Sequence, residues 1–362
     1  MIEYEDLRKV NERFLAGYEK AIAGVLSSGW YILGSAGEKF ERAFADYCGV
    51  QHCIGVASGL DALTISLKLF HIKPCAEVIV PSNTYIATIL SIVHCGLVPV
   101  LVEPDIKTYN IDPEKIEDAI TSKTAAIMPV HLYGKMCNMD PIMEIANRHG
   151  LKVIEDCAQA HGSKYKNRKA GTFGHCNAFS FYPTKNLGAL GDAGAIVTDD
   201  SDLARQARMF RNYGSNRKYY NEVIGYNSRL DEIQAAFLSV KLKELDDINR
   251  HKRKLAGIYL KKIRDPFIKP EVKKDSFDIY HIFNIRHAGR DRLKQYLLNH
   301  GIKTEIHYPV PPHKQKALRN LFGGQSYPIS EEIHSTTLSL PVSYGHKQED
   351  IYHVIETLNG FR

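Results

Sequence analysis

Three short stretches carry residue types that together suggest covalent cofactor chemistry. In FSFYPTKNLGALGDAGAI, positions 179–196, Lys185 stands between an aromatic run and a loop containing Gly188, Gly191 and Gly194. A lysine amine attacks a carbonyl carbon once it is held close to its target and partly stripped of water. In KVIEDCAQAHG, Asp156 ends an apolar run. A buried carboxylate needs a partner, and the protonated ring nitrogen of a pyridine cofactor would serve; an acid capping the next loop is the equal alternative. Gln159 follows three positions on, with an amide that can donate to a ring oxygen. In ASGLDAL, Ser58 and Gly59 mark a turn into a helix, where backbone N–H groups and the helix N-terminus favour a phosphate. Taken alone, Ser58 reads more simply as a helix N-cap. Ser180 completes the set, five positions before Lys185.

These residues need a scaffold that brings strand ends together. Apolar runs at 53–57, 77–81, 98–102, 125–130, 152–156, 177–181 and 195–199 predict seven strands, with helical patterns between most of them. One such pattern is LDALTISLKLF, where Leu60, Leu63, Leu67 and Phe70 share a face. Strands alternating with helices predict an α/β fold with a mostly parallel sheet covered on both sides. Asp156 would then lie at the sheet edge where such folds place ligands, and Pro183 would turn the chain so that Lys185 emerges nearby. Positions 229–262 predict one long helix leading to a smaller α+β unit. That unit has strand-like DIYHIFNIRH and TEIHYP, a helix at 290–299 and a closing helix after Gly345. The division is placed at 1–245 and 246–362.

The glycine loop is not a dinucleotide fingerprint. Its spacing is G-x-x-G-x-x-G, and it enters a strand instead of opening a helix. The chain of 362 residues has a globular composition, and its net charge of +6 is spread along it. The densest basic run, 251–264, reads as the solvated face of a helix, and no basic stripe with interleaved aromatics points to nucleic acid. The apolar region 77–102 is broken by prolines and Ser-Asn-Thr, which argues against a membrane span. MIEYEDLRKV does not read as a signal peptide. Seven scattered cysteines without a CxxC pair argue against zinc or a disulfide framework and for a reducing cytoplasm.

The combination of phosphate turn, strand-end Asp, Ser and Lys resembles the sugar-nucleotide aminotransferases of the aspartate-aminotransferase (type I pyridoxal phosphate) fold. The resemblance runs from GWYILG through PVHLYG, EDCAQAHG, FSFYPTKNLGALGDAGAI and GYNSRLDEIQAA to EIHYP. It is closest to the branch that aminates C3 of a dTDP-linked 3-keto-6-deoxyhexose, whose members carry a YPxKNLGAxGD-like loop; branches acting at C4 more often show FHxTK. Ala193 departs from the usual GDGGA.

The resemblance implies roles residue by residue. Lys185 would form a Schiff base with pyridoxal 5′-phosphate, and Asp156 would hold the pyridinium protonated. Ser58, Gly59 and Ser180 would bind the phosphate, Tyr85 would stack on the ring, and Gln159 would sit by its 3-oxygen. Asn227 would reach the phosphate from the partner subunit of a homodimer. Arg229, His307 and Tyr308 would contact the sugar nucleotide, although Arg229 could equally brace the helix that follows. His131 in PVHLYG is as readily a core histidine as a site residue. L-Glutamate is the expected amino donor, and the C4 configuration of the sugar stays open. Amination of a 4-keto sugar is the alternative. A dehydratase of the same fold would carry His at position 185, and a non-catalytic sensor would not need Lys185, Asp156 and Ser180 together.

Overall fold

The seven apolar runs all become part of one sheet in the computed structural model, which describes residues 1–362. The strands are β1 (His52–Val56), β2 (Glu77–Pro81), β3 (Val98–Val102), β4 (Thr124–Ile127), β5 (Lys152–Val153), β6 (Asn177–Ser180) and β7 (Gly194–Thr198). β3, β2, β4 and β5 pair parallel in that order. β7 lies between β1 and β6 and is antiparallel to both. Asp156 joins the two halves, bridging Val130 on one side and Ala178 on the other, both in parallel. The order is therefore β1–β7–β6–β5–β4–β2–β3, with β7 the only antiparallel strand.

Successive side chains of a strand point to opposite faces, and two cores form as a result. Ile79, Ile127, Val153, Phe179 and Val197 enter a cluster of 35 buried residues on one face. Val78, Val80, Ala126, Ile154, Ala178 and Ile196 enter a cluster of 24 on the other. Covering both faces explains why the strands read as continuous apolar runs. Two helices of the second core matter for the site. In α1 (Gly59–Leu69), Ser58 is the N-cap and its Oγ accepts from Asp61 N at 3.1 Å. α2 (Ile86–His94) begins after Tyr85, whose backbone is extended.

A separate core of 18 residues, drawn from Leu255 to Leu358, packs around β8 (Phe283–Arg286) and β9 (Thr337–Leu340), which pair antiparallel. The amino terminus crosses to it, with Ile2 bridging Ile302.

Several sequence expectations change here. Positions 229–262 form two helices, α3 (Glu232–Leu242) and α4 (Leu245–Lys262), with Glu244 between them at φ −107° and ψ 4°. Neither Pro nor Gly marks that break, so helical periodicity ran through it. DIYHIFNIRH yields only the strand Phe283–Arg286, because Tyr280 turns the chain at φ 48° and Asp278 is drawn into a 2.5 Å ion pair with Lys135. TEIHYP forms no strand; it pairs once, Glu305 with Ser339. The helices at Arg290–Asn299 and Gln348–Asn359 form as expected. The basic run on α4 is mostly solvated, except Lys252, which is 3% exposed and donates to His281 O at 3.0 Å.

Candidate active site

Lys185 rides on the turn that follows β6. Its backbone N–H donates to Tyr182 O at 2.8 Å, while Phe181 N bonds Ala193 O and Ala189 N bonds Phe181 O, both at 2.8 Å. The loop glycines are required by close approach. A Cβ on Gly188 would lie 2.3 Å from Pro183 O, and one on Gly194 would lie 2.3 Å from Ser58 O. On Gly59 it would meet Ser180 Cβ at 2.5 Å. These contacts press the Ser58–Gly59 turn against Ser180 and the loop of Lys185. Both hydroxyl oxygens accept locally, Ser58 from Asp61 N and Ser180 from Tyr182 N at 3.4 Å. Their protons therefore remain available to a bound anion at the start of α1, where the helix dipole favours it. Ser58 thus serves as both the N-cap and a phosphate donor.

The Lys185 amine makes no hydrogen bond within the chain. Burial pulls its pKa down to about 8, against the opposing fields of Asp156 and Glu5. About a tenth of it is then uncharged at pH 7, against less than about a thousandth for a free lysine. That fraction is what a nucleophile or a proton carrier requires.

Asp156 is 5% exposed. Its Oδ1 accepts from Ala158 N at 3.1 Å and its Oδ2 from Thr88 Oγ1 at 2.9 Å. Burial raises its pKa, against the pull of those two bonds and of Lys185. Each oxygen keeps a free lone pair, so the carboxylate can still take a protonated ring nitrogen. Gln159 is also fixed at both ends, its Oε1 accepting from Tyr133 N at 2.6 Å and its Nε2 donating to Tyr308 Oη at 3.0 Å. The Tyr85 ring, 53% exposed, lies 5.2 Å from that of Tyr308. His307 forms the adjoining wall, with Nδ1 2.9 Å from Ser339 Oγ and its ring 5.7 Å from Tyr4. Burial, reinforced by Lys185, lowers its pKa to about 4 and keeps it neutral.

An amine of lowered pKa, a carboxylate with open lone pairs and a hydroxyl-lined turn suit a pyridine ring that bears an aldehyde and a phosphate. Of the residues singled out in the sequence, Ser58, Gly59, Tyr85, Asp156, Gln159, Ser180, Lys185, His307 and Tyr308 are linked by these contacts or by the electrostatic coupling of Lys185 to Asp156 and His307. Asn227 and Arg229 are not. They line a surface depression of about 370 Å³ with Ala57, Asp192, Asp231 and Gln234, next to the Ser58–Gly59 turn and the loop of Lys185. Arg229 does not brace the following helix; it donates to Asn212 Oδ1 at 3.2 Å and lies over the Tyr213 ring. His131 is a core residue with no exposed surface. Its Nδ1 accepts from Cys137 N and its Nε2 donates to Glu155 at 2.7 Å.

The sequence reading did not identify Thr88, Tyr133, Glu155 or Glu232. Glu232 accepts from the backbone N–H groups of Gly34, Ala36 and Gly37 at 2.8–2.9 Å, which ties GWYILGSAG to the start of α3. Only the spacing of Thr88, one helical turn after Tyr85, could have signalled its role.

No helix is long and apolar enough to cross a membrane. The chain is 53% identical, over all of its length and 99% of the relative's, to the dTDP-3-amino-3,6-dideoxy-alpha-D-galactopyranose transaminase of Aneurinibacillus thermoaerophilus. Its structure superposes with a TM-score of 0.96 on Streptomyces venezuelae DesV, solved in complex with a ketimine intermediate; that match is 44% identical and covers 99% of this chain and 97% of the other. NtdA of Bacillus subtilis, solved with bound cofactor PMP, is 32% identical with a TM-score of 0.92, over 99% of this chain and 84% of that one. The model of the DegT/DnrJ/EryC1/StrS aminotransferase family matches residues 16–359, and this chain belongs to that family.

Proposed function

We propose that the protein is a pyridoxal-phosphate-dependent aminotransferase that moves an amino group from L-glutamate to C3 of a dTDP-linked 3-keto-6-deoxyhexose, giving a dTDP-3-amino-3,6-dideoxyhexose. The observation that carries this reading is Lys185, unpaired and of depressed pKa, coupled electrostatically to an Asp156 whose carboxylate accepts only two hydrogen bonds. Identity of 53% along the whole chain to a transaminase named for a 3-amino-3,6-dideoxyhexose supports the substrate class. Once bound, the pyridoxal phosphate ring would supply a conjugated acceptor for the electron pair released at the substrate carbon.

The chain's own residues do the rest. Lys185 is the base that carries a proton between the cofactor and the substrate carbon, in both the donor and the acceptor half-reactions. Asp156 keeps the ring nitrogen protonated. Ser58, Gly59 and Ser180 hold the phosphate, Gln159 donates near the ring oxygen, and Tyr85 covers the ring. His307 and Tyr308 face the sugar nucleotide.

Asn227 and Arg229 would serve a neighbouring subunit of a homodimer. The exposed side chains of Tyr213, Tyr219, Tyr220 and Ile224, just before Asn227, support such an apolar interface. The separate carboxy-terminal core supports a division into a cofactor-holding unit, 1–245, and a smaller unit, 246–362. All seven cysteines are free, which suits a cytoplasmic enzyme.

The test is the visible spectrum of the protein reconstituted with pyridoxal phosphate. A yellow band that bleaches on addition of L-glutamate, followed by amination of the dTDP-linked 3-keto sugar, is the expected result. A protein that stays colourless in excess cofactor would remove Lys185 from its role. Bleaching without turnover of the 3-keto sugar would move the substrate assignment elsewhere.

A further inference from the structure

Asp156 is held by a hydrogen-bonded chain that extends past it. Thr88 Oγ1 donates to Asp156 Oδ2 at 2.9 Å, and Thr84 Oγ1 lies 2.7 Å from Thr88 Oγ1. A threonine hydroxyl has one proton. Thr88 gives its proton to the carboxylate, so Thr84 must donate to Thr88. Both are within 2% of complete burial, so bulk solvent reaches neither.

This arrangement is not the usual outlet for a helical threonine. Such hydroxyls commonly return to the carbonyl four residues back, as Thr64 does to Leu60, Thr336 to Glu332 and Thr357 to His353. Thr88 instead reaches an acid 68 positions away. The same turn of α2 begins at Tyr85, whose carbonyl accepts from Thr88 N at 3.2 Å. One turn of backbone thus fixes both the ring that covers the cofactor position and the clamp on the acid.

We propose that Thr88, backed by Thr84, is a positioning residue for the reaction: it locks the Asp156 carboxylate so that one lone pair points at the cofactor's ring nitrogen and keeps it protonated. This rests on the reading of Asp156 given above. With Ala158 N on Oδ1 and Thr88 on Oδ2, the carboxylate cannot rotate about its own axis without breaking a bond to a charged acceptor. The Thr84 donor polarises Thr88 and strengthens that bond further. Thr88 also favours the ionised carboxylate against the pull of burial.

The test uses holoenzyme reconstituted with ring-¹⁵N-labelled pyridoxal phosphate. It compares Thr88→Val, Thr88→Ser, Thr84→Val and Asp156→Asn by the ring-nitrogen chemical shift and by steady-state kinetics. Thr88→Val should move the shift toward the neutral-pyridine value and lower kcat about 10–100-fold, with KM for the sugar nucleotide changed less than about twofold, as expected for losing one hydrogen bond to a charged group. Thr88→Ser should restore both, and Thr84→Val should move both in the same direction by a smaller amount.

A Thr88→Val enzyme with unmoved shift and kcat overturns the proposal, as does a Thr88→Ser enzyme as impaired as Thr88→Val. Should Thr88→Val not fold, Thr84→Val decides, and unmoved values there overturn it. Asp156→Asn separates the two levels. If that variant keeps the protonated shift, the reading of Asp156 itself fails; if it loses the shift while Thr88→Val does not, only the role of Thr88 falls.

Discussion

Glu155 and Asp156 are neighbours in the chain, both carboxylates, and both nearly inaccessible, at 0% and 5% exposure. Their surroundings differ completely. Strand alternation sends them to opposite faces of the sheet. On one face Glu155 accepts from the backbone N–H groups of Gly171, Phe173 and Gly174 and from His131. Burial raises its pKa, but His131 and those amides overrule it and the net shift is downward. On the other face Asp156 accepts from only Thr88 and Ala158, and burial prevails, so its pKa is raised. A carboxylate with four donors has nothing left to offer and holds the fold. One with two donors keeps acceptor capacity for a ligand, and its unmet desolvation is what a protonated ring would relieve. Identity of side chain and depth of burial do not separate structure from chemistry; the count of donors does.

The contrast can be broken most severely by removing the reacting group itself. Lys185→Ala should lower turnover by roughly 10²–10⁴-fold from lost acid–base catalysis alone, with the cofactor still able to bind. Chromatographic assay of amino-sugar formation checks this, and substantial turnover in the variant would end the assignment.

Asp156→Asn comes next. Turnover should fall roughly 10²-fold through weaker electrostatic support of the ring, while the urea midpoint of the apo-protein holds or rises. If that variant instead lost stability like a core mutant, the two acids would be alike.

For Glu155→Gln the expectation reverses. The new amide group faces backbone donors, so stability should drop by roughly 2–4 kcal/mol while turnover per folded molecule stays near normal. Equilibrium denaturation paired with active-site titration separates the two quantities.

The smallest effect is one of sign. The lowered pKa of Glu155 means its stabilisation is complete above the unfolded-state value of about 4.3 and is lost as pH falls through the folded value. The raised pKa of Asp156 means the apo-protein loses stability as pH rises through the unfolded value of about 3.9. Glu155→Gln should therefore destabilise more at pH 7 than at about pH 3, and Asp156→Asn should stabilise the apo-protein at pH 7 with little effect at about pH 3. Denaturant titrations at the two pH values would show it; shifts of the same sign would contradict the contrast.

Much of this was legible in the sequence because it is local. Continuous Val/Ile/Ala runs located the strands, since a parallel sheet buried on both faces leaves no polar alternation. Lys185, Asp156 and the Ser58–Gly59 turn could be read from small residues at strand ends. The kink at Glu244 and the irregular course of TEIHYP left no such mark. For TEIHYP the pairing partner lies far along the chain, Glu305 meeting Ser339, and at Glu244 the side chain meets Arg13 from the first residues of the chain.

The sequence by itself determined the strand order of chemistry: a turn for an anion, an acid at a strand end, a lysine after the next strand. Only the tertiary structure decided which acid stays open. Donors come from wherever the folded backbone and side chains converge, here from Gly171 and Phe173 for one carboxylate and from Thr88, 68 positions away, for the other. Hydrogen bonding acts over about 3 Å of space, without regard to separation along the chain.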